Sequence, residues 1–119
     1  MKYCQGPDPE TKSPNFKAPP KACDAHCDVF GPDAKFPFAE GRSYTPPDSP
    51  FEAMQVLQKT LGIERAVIVQ ATCHGTDNTA ALDAIARSEG RYKGVAIVDD
   101  SFTDDDFKRL DDGGMRGIR

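Results

Sequence analysis

Apolar residues gather in two unbroken runs, Ala-Val-Ile-Val at residues 66–69 and Gly-Val-Ala-Ile-Val at 94–98. Such runs suit parallel strands covered on both faces. Strands are therefore predicted over about 65–71 and 93–98. Before the first, Phe51, Met54, Leu57 and Leu61 recur at helical spacing, with Ala53 and Val56 widening the stripe. Ser49 is placed as the N-cap of that helix, Pro50 suits its first position and Glu52 falls at the capping-box position. Gly62 is placed to end it. A second helix is predicted over 77–88, capped by Thr76 or Asp77, apolar at Ala80, Ala81, Ala84 and Ile85, and ended by Gly90. Thr103 caps a third, where Asp104, Asp105 and Asp106 favour the positive end of the helix dipole. Phe107 and Leu110 of this helix are expected to face inward. Gly113 and Gly114 break it, and residues 115–119 begin a fourth strand.

The earliest strand breaks the pattern. In Ala22-Cys23-Asp24-Ala25-His26-Cys27-Asp28-Val29-Phe30-Gly31, regular alternation turns Asp24, His26 and Asp28 to one face and Cys23, Ala25 and Cys27 to the other. Three ionisable groups on one face of a buried strand are costly without partners or a task. That face is the candidate site. The whole order is strand, helix, strand, helix, strand, helix, strand, an α/β alternation that implies parallel strands with right-handed crossovers.

Composition narrows the function classes. With 119 residues and a net charge of -4, the chain is one small domain without the basic stripe of a nucleic-acid binder. It holds no run of ~20 apolar residues, so no membrane span is expected. The N-terminus lacks the apolar stretch of a secretory signal, which makes cytoplasmic residence the expectation. Residues 1–21 carry five prolines and no hydrophobic period, and read as a flexible tail lying at most over the bottom of a domain formed by 22–119. Cys23 and Cys27 would sit ~13 Å apart on one strand face, too far to bridge. With Cys4 and Cys73 they read as reduced thiols. No Gly-rich phosphate loop follows a strand.

The connection over residues 31–50 is long for a strand-to-helix loop, where about 2–6 residues are usual. Phe36 and Phe38 serve to pin it, while the hydroxyl of Tyr44 makes that residue a candidate for binding.

These stretches together resemble the amidohydrolase-related hydrolases, in the branch that includes 2-pyrone-4,6-dicarboxylate lactonases. The resemblance rests on residues 23–32 (CDAHCDVFGP), Phe36-Pro37-Phe38, Tyr44-Thr45-Pro46-Pro47, residues 62–70 (GIERAVIVQ), residues 73–78 (CHGTDN) and residues 114–119 (GMRGIR). It implies the N-terminal portion of a TIM (β/α)₈ barrel, about three βα units plus a fourth strand, with the site at the C-terminal strand ends. It also implies that His26 contacts the scissile carbonyl region and that Tyr44, Thr72, His74 and Arg119 hold the substrate. Arg119 suits a carboxylate because its planar fork can meet both oxygens. His74 has a second reading, as a cap of the following helix.

The family's first strand ends in His-x-His, and here Asp28 stands at the second histidine. An ionised Asp cannot donate to an oxyanion and would repel it. It could instead ligate a metal or tune His26. The resemblance further places the general base on a last strand outside these residues. The expectation is a hydrolase of small anionic, carboxylated lactones, inactive as this chain alone and needing no cofactor. The alternatives are a zinc- or manganese-dependent amidohydrolase using His26 and Asp28, and a non-catalytic α/β module that associates through its unclosed sheet.

Overall fold

A computed structural model describes residues 3–119. Four parallel strands, β1 (Cys23–Cys27), β2 (Arg65–Val69), β3 (Tyr92–Ala96) and β4 (Met115–Ile118), lie side by side in chain order. Helices α1 (Phe51–Leu61), α2 (Thr79–Arg87) and α3 (Asp104–Asp112) connect them. One core joins Phe51 and Met54 of α1, Ala80, Ala81, Ala84 and Ile85 of α2 and Leu110 of α3 to Ala66, Ile68, Tyr92, Ala96 and Met115 of the strands. The three helices thus cover one sheet face. Sequential parallel strands with helices on one side are the successive units of a (β/α)₈ barrel.

Helix boundaries follow local chemistry, with some departures from the sequence pattern. Ser49 does not cap α1. Its N–H and C=O both pair with Phe30, at 2.7 and 3.0 Å, so Pro50 takes the N-cap place. The buried stripe of α1 is Phe51, Met54 and Gln58, while Leu57 is partly exposed and Val56 is 68% exposed. Gln58 is drawn inward because the hydroxyl of Tyr92 donates to its Oε1. Gly62 ends α1 at φ 71°, as expected. Helix α2 starts at Thr79, whose N–H donates to Asp77 Oδ1 at 3.1 Å, while Asn78 holds the N-cap place with its side chain bonded to the Thr76 and Ile97 carbonyls. In α3 the Thr103–Asp106 capping box is formed, but Phe107 is 42% exposed and only Leu110 is buried. Thr103→Ala should therefore cost about 1 kcal/mol of stability, measurable by urea unfolding.

Lys17, Ala18, Pro20 and Lys21 lie at the bottom of the sheet beside residues 62–65, but the start of the N-terminal segment reaches the other end. Tyr3 bridges to Thr45, and the Cys4 N–H donates to the Thr45 carbonyl at 2.9 Å. Residues 6–9 and Thr11 then line one wall of a cleft whose other walls are Asp28, Pro47 and α1.

Candidate active site

The strand that carries the site is irregular. Cys23 and Asp24 pair with Arg65 and Ala66, but Cys27 pairs with Ile68, so three steps along β1 match two along β2. This bulge inverts the alternation halfway along the strand. Cys27 shares the helix-facing register of Ile68, and its Sγ lies 3.9 Å from Met54 Sδ. Strand alternation sets His26 and Asp28 on the other side from Cys27, and Asp28 also walls the cleft beside α1. Asp24 is not on that face. It is in register with Ala66, and its carboxylate accepts from the His26 N–H at 3.0 Å. The same inversion separates Cys23 from Cys27, and all four cysteines are free. Re-aiming a side chain is a usual result of a bulge, and here His26 is the one re-aimed.

Asp28 follows the end of β1 half-buried. Burial pushes its carboxyl above the usual 3.8, the charges of His26 and Arg119 oppose that rise, and Asp24 adds to it. One carboxylate oxygen, Oδ1, is buried with no hydrogen-bond partner among the described residues. A folded state that holds this proton more tightly than the unfolded chain loses stability as pH rises from about 3.8 through the raised value. Asp28→Asn should thus raise the melting temperature by a few degrees, on the order of 2–4 °C at pH 7. The gain should vanish below pH 3.8, which thermal denaturation across pH will show.

The second part of the site comes from the ends of β2 and the 31–50 connection. Thr72 opens a 3₁₀ turn, Thr72–His74, directly after β2. Its hydroxyl donates to the Tyr44 hydroxyl at 3.4 Å. That length is at the limit for such a bond, which leaves both hydroxyls free to engage another oxygen. Burial raises the Tyr44 phenol, so it remains a neutral donor. The backbone of Arg119 extends β4, its N–H donating to the Ala96 carbonyl at 3.0 Å, and its charge reaches Asp28. His26, Asp28, Thr72 and Arg119 thus stand at or just past the C-terminal ends of β1, β2 and β4, and Tyr44 joins Thr72.

His74 is not with them. It is 3% exposed, and both ring nitrogens are occupied by backbone groups. Nε2 accepts from the Gly31 N–H at 3.1 Å, and Nδ1 meets the Pro37 carbonyl at 3.2 Å. A ring with no free nitrogen cannot hold a substrate, nor does it cap α2.

Arg42 is a residue that the sequence pattern did not single out. Its Nε donates to Thr45 Oγ1 and its Nη1 to the Ala39 carbonyl, both at 2.9 Å, and the guanidinium lies 5.7 Å from the Phe38 ring centre. Its place two residues before Tyr44, in a loop with three aromatic rings, was the available signal.

Thiol chemistry is not a feature of the site. Burial, with the charges of Asp24 and Asp28, pushes the Cys27 thiol up to about 12, and burial raises Cys73 as well. At pH 8 iodoacetamide should label the exposed Cys4 and Cys23 quickly, and Cys27 and Cys73 only after unfolding; peptide mass mapping checks this. Among the described residues no three His, Cys, Asp or Glu side chains converge as a metal site requires. His26 and Asp28 amount to two donors, too few to hold a zinc ion alone.

Successive parallel βα units with polar residues at the C-terminal strand ends are the build of one segment of a barrel enzyme. Residues 23–119 match the amidohydrolase family model, and the chain belongs to that family. It is 50% identical over 106 residues to a 2-pyrone-4,6-dicarboxylate hydrolase of Comamonas testosteroni, covering 89% of this chain and 35% of that protein. It is 43% identical over 116 residues to a 4-sulfomuconolactone hydrolase of Hydrogenophaga intermedia, covering 98% and 38%. A crystal structure of a probable 2-pyrone-4,6-dicarboxylic acid hydrolase from Acinetobacter baumannii, with citric acid bound, matches 83% of this chain and 37% of that one, at TM-score 0.75 and 27% identity. The chain spans between 35% and 39% of the length of the curated relatives it matches. No helix among the described residues is long and apolar enough to cross a membrane.

Proposed function

We propose that a complete barrel containing this chain hydrolyses a small lactone bearing carboxylates, of the pyrone dicarboxylate type. His26 donates to the scissile carbonyl oxygen as it becomes an oxyanion, with Asp28 two residues along the same strand end. Tyr44 and Thr72 supply hydroxyls to the substrate, and Arg119 grips a carboxylate with its planar fork. The observation that carries this reading is the position of His26, Asp28, Thr72 and Arg119 at or just past the C-terminal ends of β1, β2 and β4, with Thr72 bonded to Tyr44. The likeness to relatives described as lactone hydrolases supports the same chemistry.

The resemblance puts the general base on a later strand of the barrel, so the 119-residue chain alone should show no turnover. A spectrophotometric assay of pyrone dicarboxylate ring opening, run on the complete protein and on this chain, tests both statements. Ring opening by the isolated chain at a rate near that of the complete protein would overturn the assignment of the base to another part of the barrel.

A second reading has its own observation. Val56 and Ile118, 68% and 61% exposed, lie on α1 and on edge strand β4. Open edges with apolar residues invite pairing. Self-association of the isolated chain is expected on this basis, and light scattering after size-exclusion chromatography would reveal it as a mass above 13.0 kDa.

A further inference from the structure

His74 occupies a place that explains how a 20-residue, proline-rich connection is held over the strand ends. Within the connection, Lys35 and Phe36 donate to the Pro32 carbonyl, Arg42 to the Ala39 carbonyl and Phe38 to Asp33, but these bonds do not tie it to the turn after β2. The imidazole supplies two that do. Because Nε2 faces the Gly31 N–H, that nitrogen must be the acceptor, and the ring proton must sit on Nδ1, where it is donated to the Pro37 carbonyl. The ring also packs against Phe38, with centres 4.8 Å apart. One residue along, the Cys73 carbonyl accepts from the Ala39 N–H at 2.8 Å. The turn that carries Thr72 is thereby fastened at four points to the connection that carries Tyr44, at Gly31, Pro37, Phe38 and Ala39.

Gly31 is shaped for this fastening. It adopts φ +66°, and a Cβ there would fall 2.4 Å from Asp48 Oδ1. The donor that His74 receives is therefore presented by a backbone that other residues rarely adopt.

We infer that His74, in its neutral Nδ1–H form, is a positioning residue that sets the distance between the Tyr44 and Thr72 hydroxyls and their register with His26. It touches no substrate and acts through the loop. This rests on the proposed lactone chemistry only for what Tyr44 and Thr72 do; the clamp itself stands on the hydrogen bonds.

The test uses the complete protein that contains this chain and has two readouts. The first is the imidazole ¹⁵N spectrum of His74 at pH 7.5, which reports the tautomer whether or not any lactone is turned over. A neutral ring protonated on Nδ1 is expected; a ring protonated on Nε2, or on both nitrogens, overturns the clamp. The second is steady-state kinetics of His74→Phe, which keeps an aromatic ring but removes both bonds, beside His74→Gln, which restores an acceptor near the Nε2 position. KM for pyrone dicarboxylate should rise about tenfold or more in His74→Phe, with kcat within about threefold. His74→Gln should recover a good part of that KM. Equal KM in wild type and His74→Phe, or no recovery in His74→Gln, contradicts the positioning role. If His74→Phe does not fold, His74→Gln and the imidazole spectrum still decide. A wild-type protein that opens no lactone, yet shows the Nδ1–H ring, sinks the substrate reading and leaves the clamp standing.

Discussion

Asp28→His in the complete protein should raise kcat/KM for pyrone dicarboxylate about 100-fold, or about 2.7 kcal/mol of transition-state stabilisation. The position faces the same side as His26, and its carboxylate lies partly buried with Oδ1 unpartnered among the described residues. An ionised carboxylate there adds negative charge beside a carbonyl oxygen that is itself becoming negative. An imidazole replaces that repulsion with a hydrogen-bond donor. Initial-rate measurements on purified variants would show the change. A flat or lowered kcat/KM, with the melting temperature preserved, would mean that Asp28 has a positive task that the repulsion argument omits.

His26→Ala should act in the opposite sense, lowering kcat by about 10²–10³. The bulge in β1 turns this one side chain toward the site while Cys27 stays in the core against Met54. Its removal takes away a donor without opening a core cavity, since His26 is exposed. Stability should therefore stay nearly constant while turnover falls, and the two are separable by thermal melting beside the rate assay. The contrast with a core position is direct. Ile68→Ala, at a fully buried side chain, should cost 2–5 kcal/mol, roughly, through lost burial and a residual cavity.

Much of the scaffold was legible in the chain because it follows from periodicity alone. The apolar run at 66–69 falls within β2, the run at 94–98 overlaps β3 although that strand ends at Ala96, and Ala80, Ala81, Ala84 and Ile85 form the buried face of α2 as their spacing required. The Thr103 capping box was equally plain. The misreadings share a cause, which is that tertiary partners overrode a local rule. Gln58 reads as a surface residue until Tyr92 is brought across to it, and this rotates the buried stripe of α1 away from Leu57. Ser49 reads as a cap until Phe30 claims its backbone.

At the site, the pairing of His26 with Asp28 could be read from alternation, because it needs only the last three residues of the strand end. Asp24 could not, since the bulge lies between it and His26 and no residue type announces it. His74 was misread for a different reason. Its partners are backbone groups of Gly31 and Pro37, 43 and 37 residues away, and a motif shows a histidine without showing what fills its nitrogens.

Hydrolysis of 2-pyrone-4,6-dicarboxylate by the complete protein, followed as loss of the pyrone absorbance, tests the central claim most directly. Saturable turnover that falls about 100-fold or more on His26→Ala is expected. A folded protein that leaves this lactone intact at all substrate concentrations, or one whose turnover is indifferent to His26, would contradict the account.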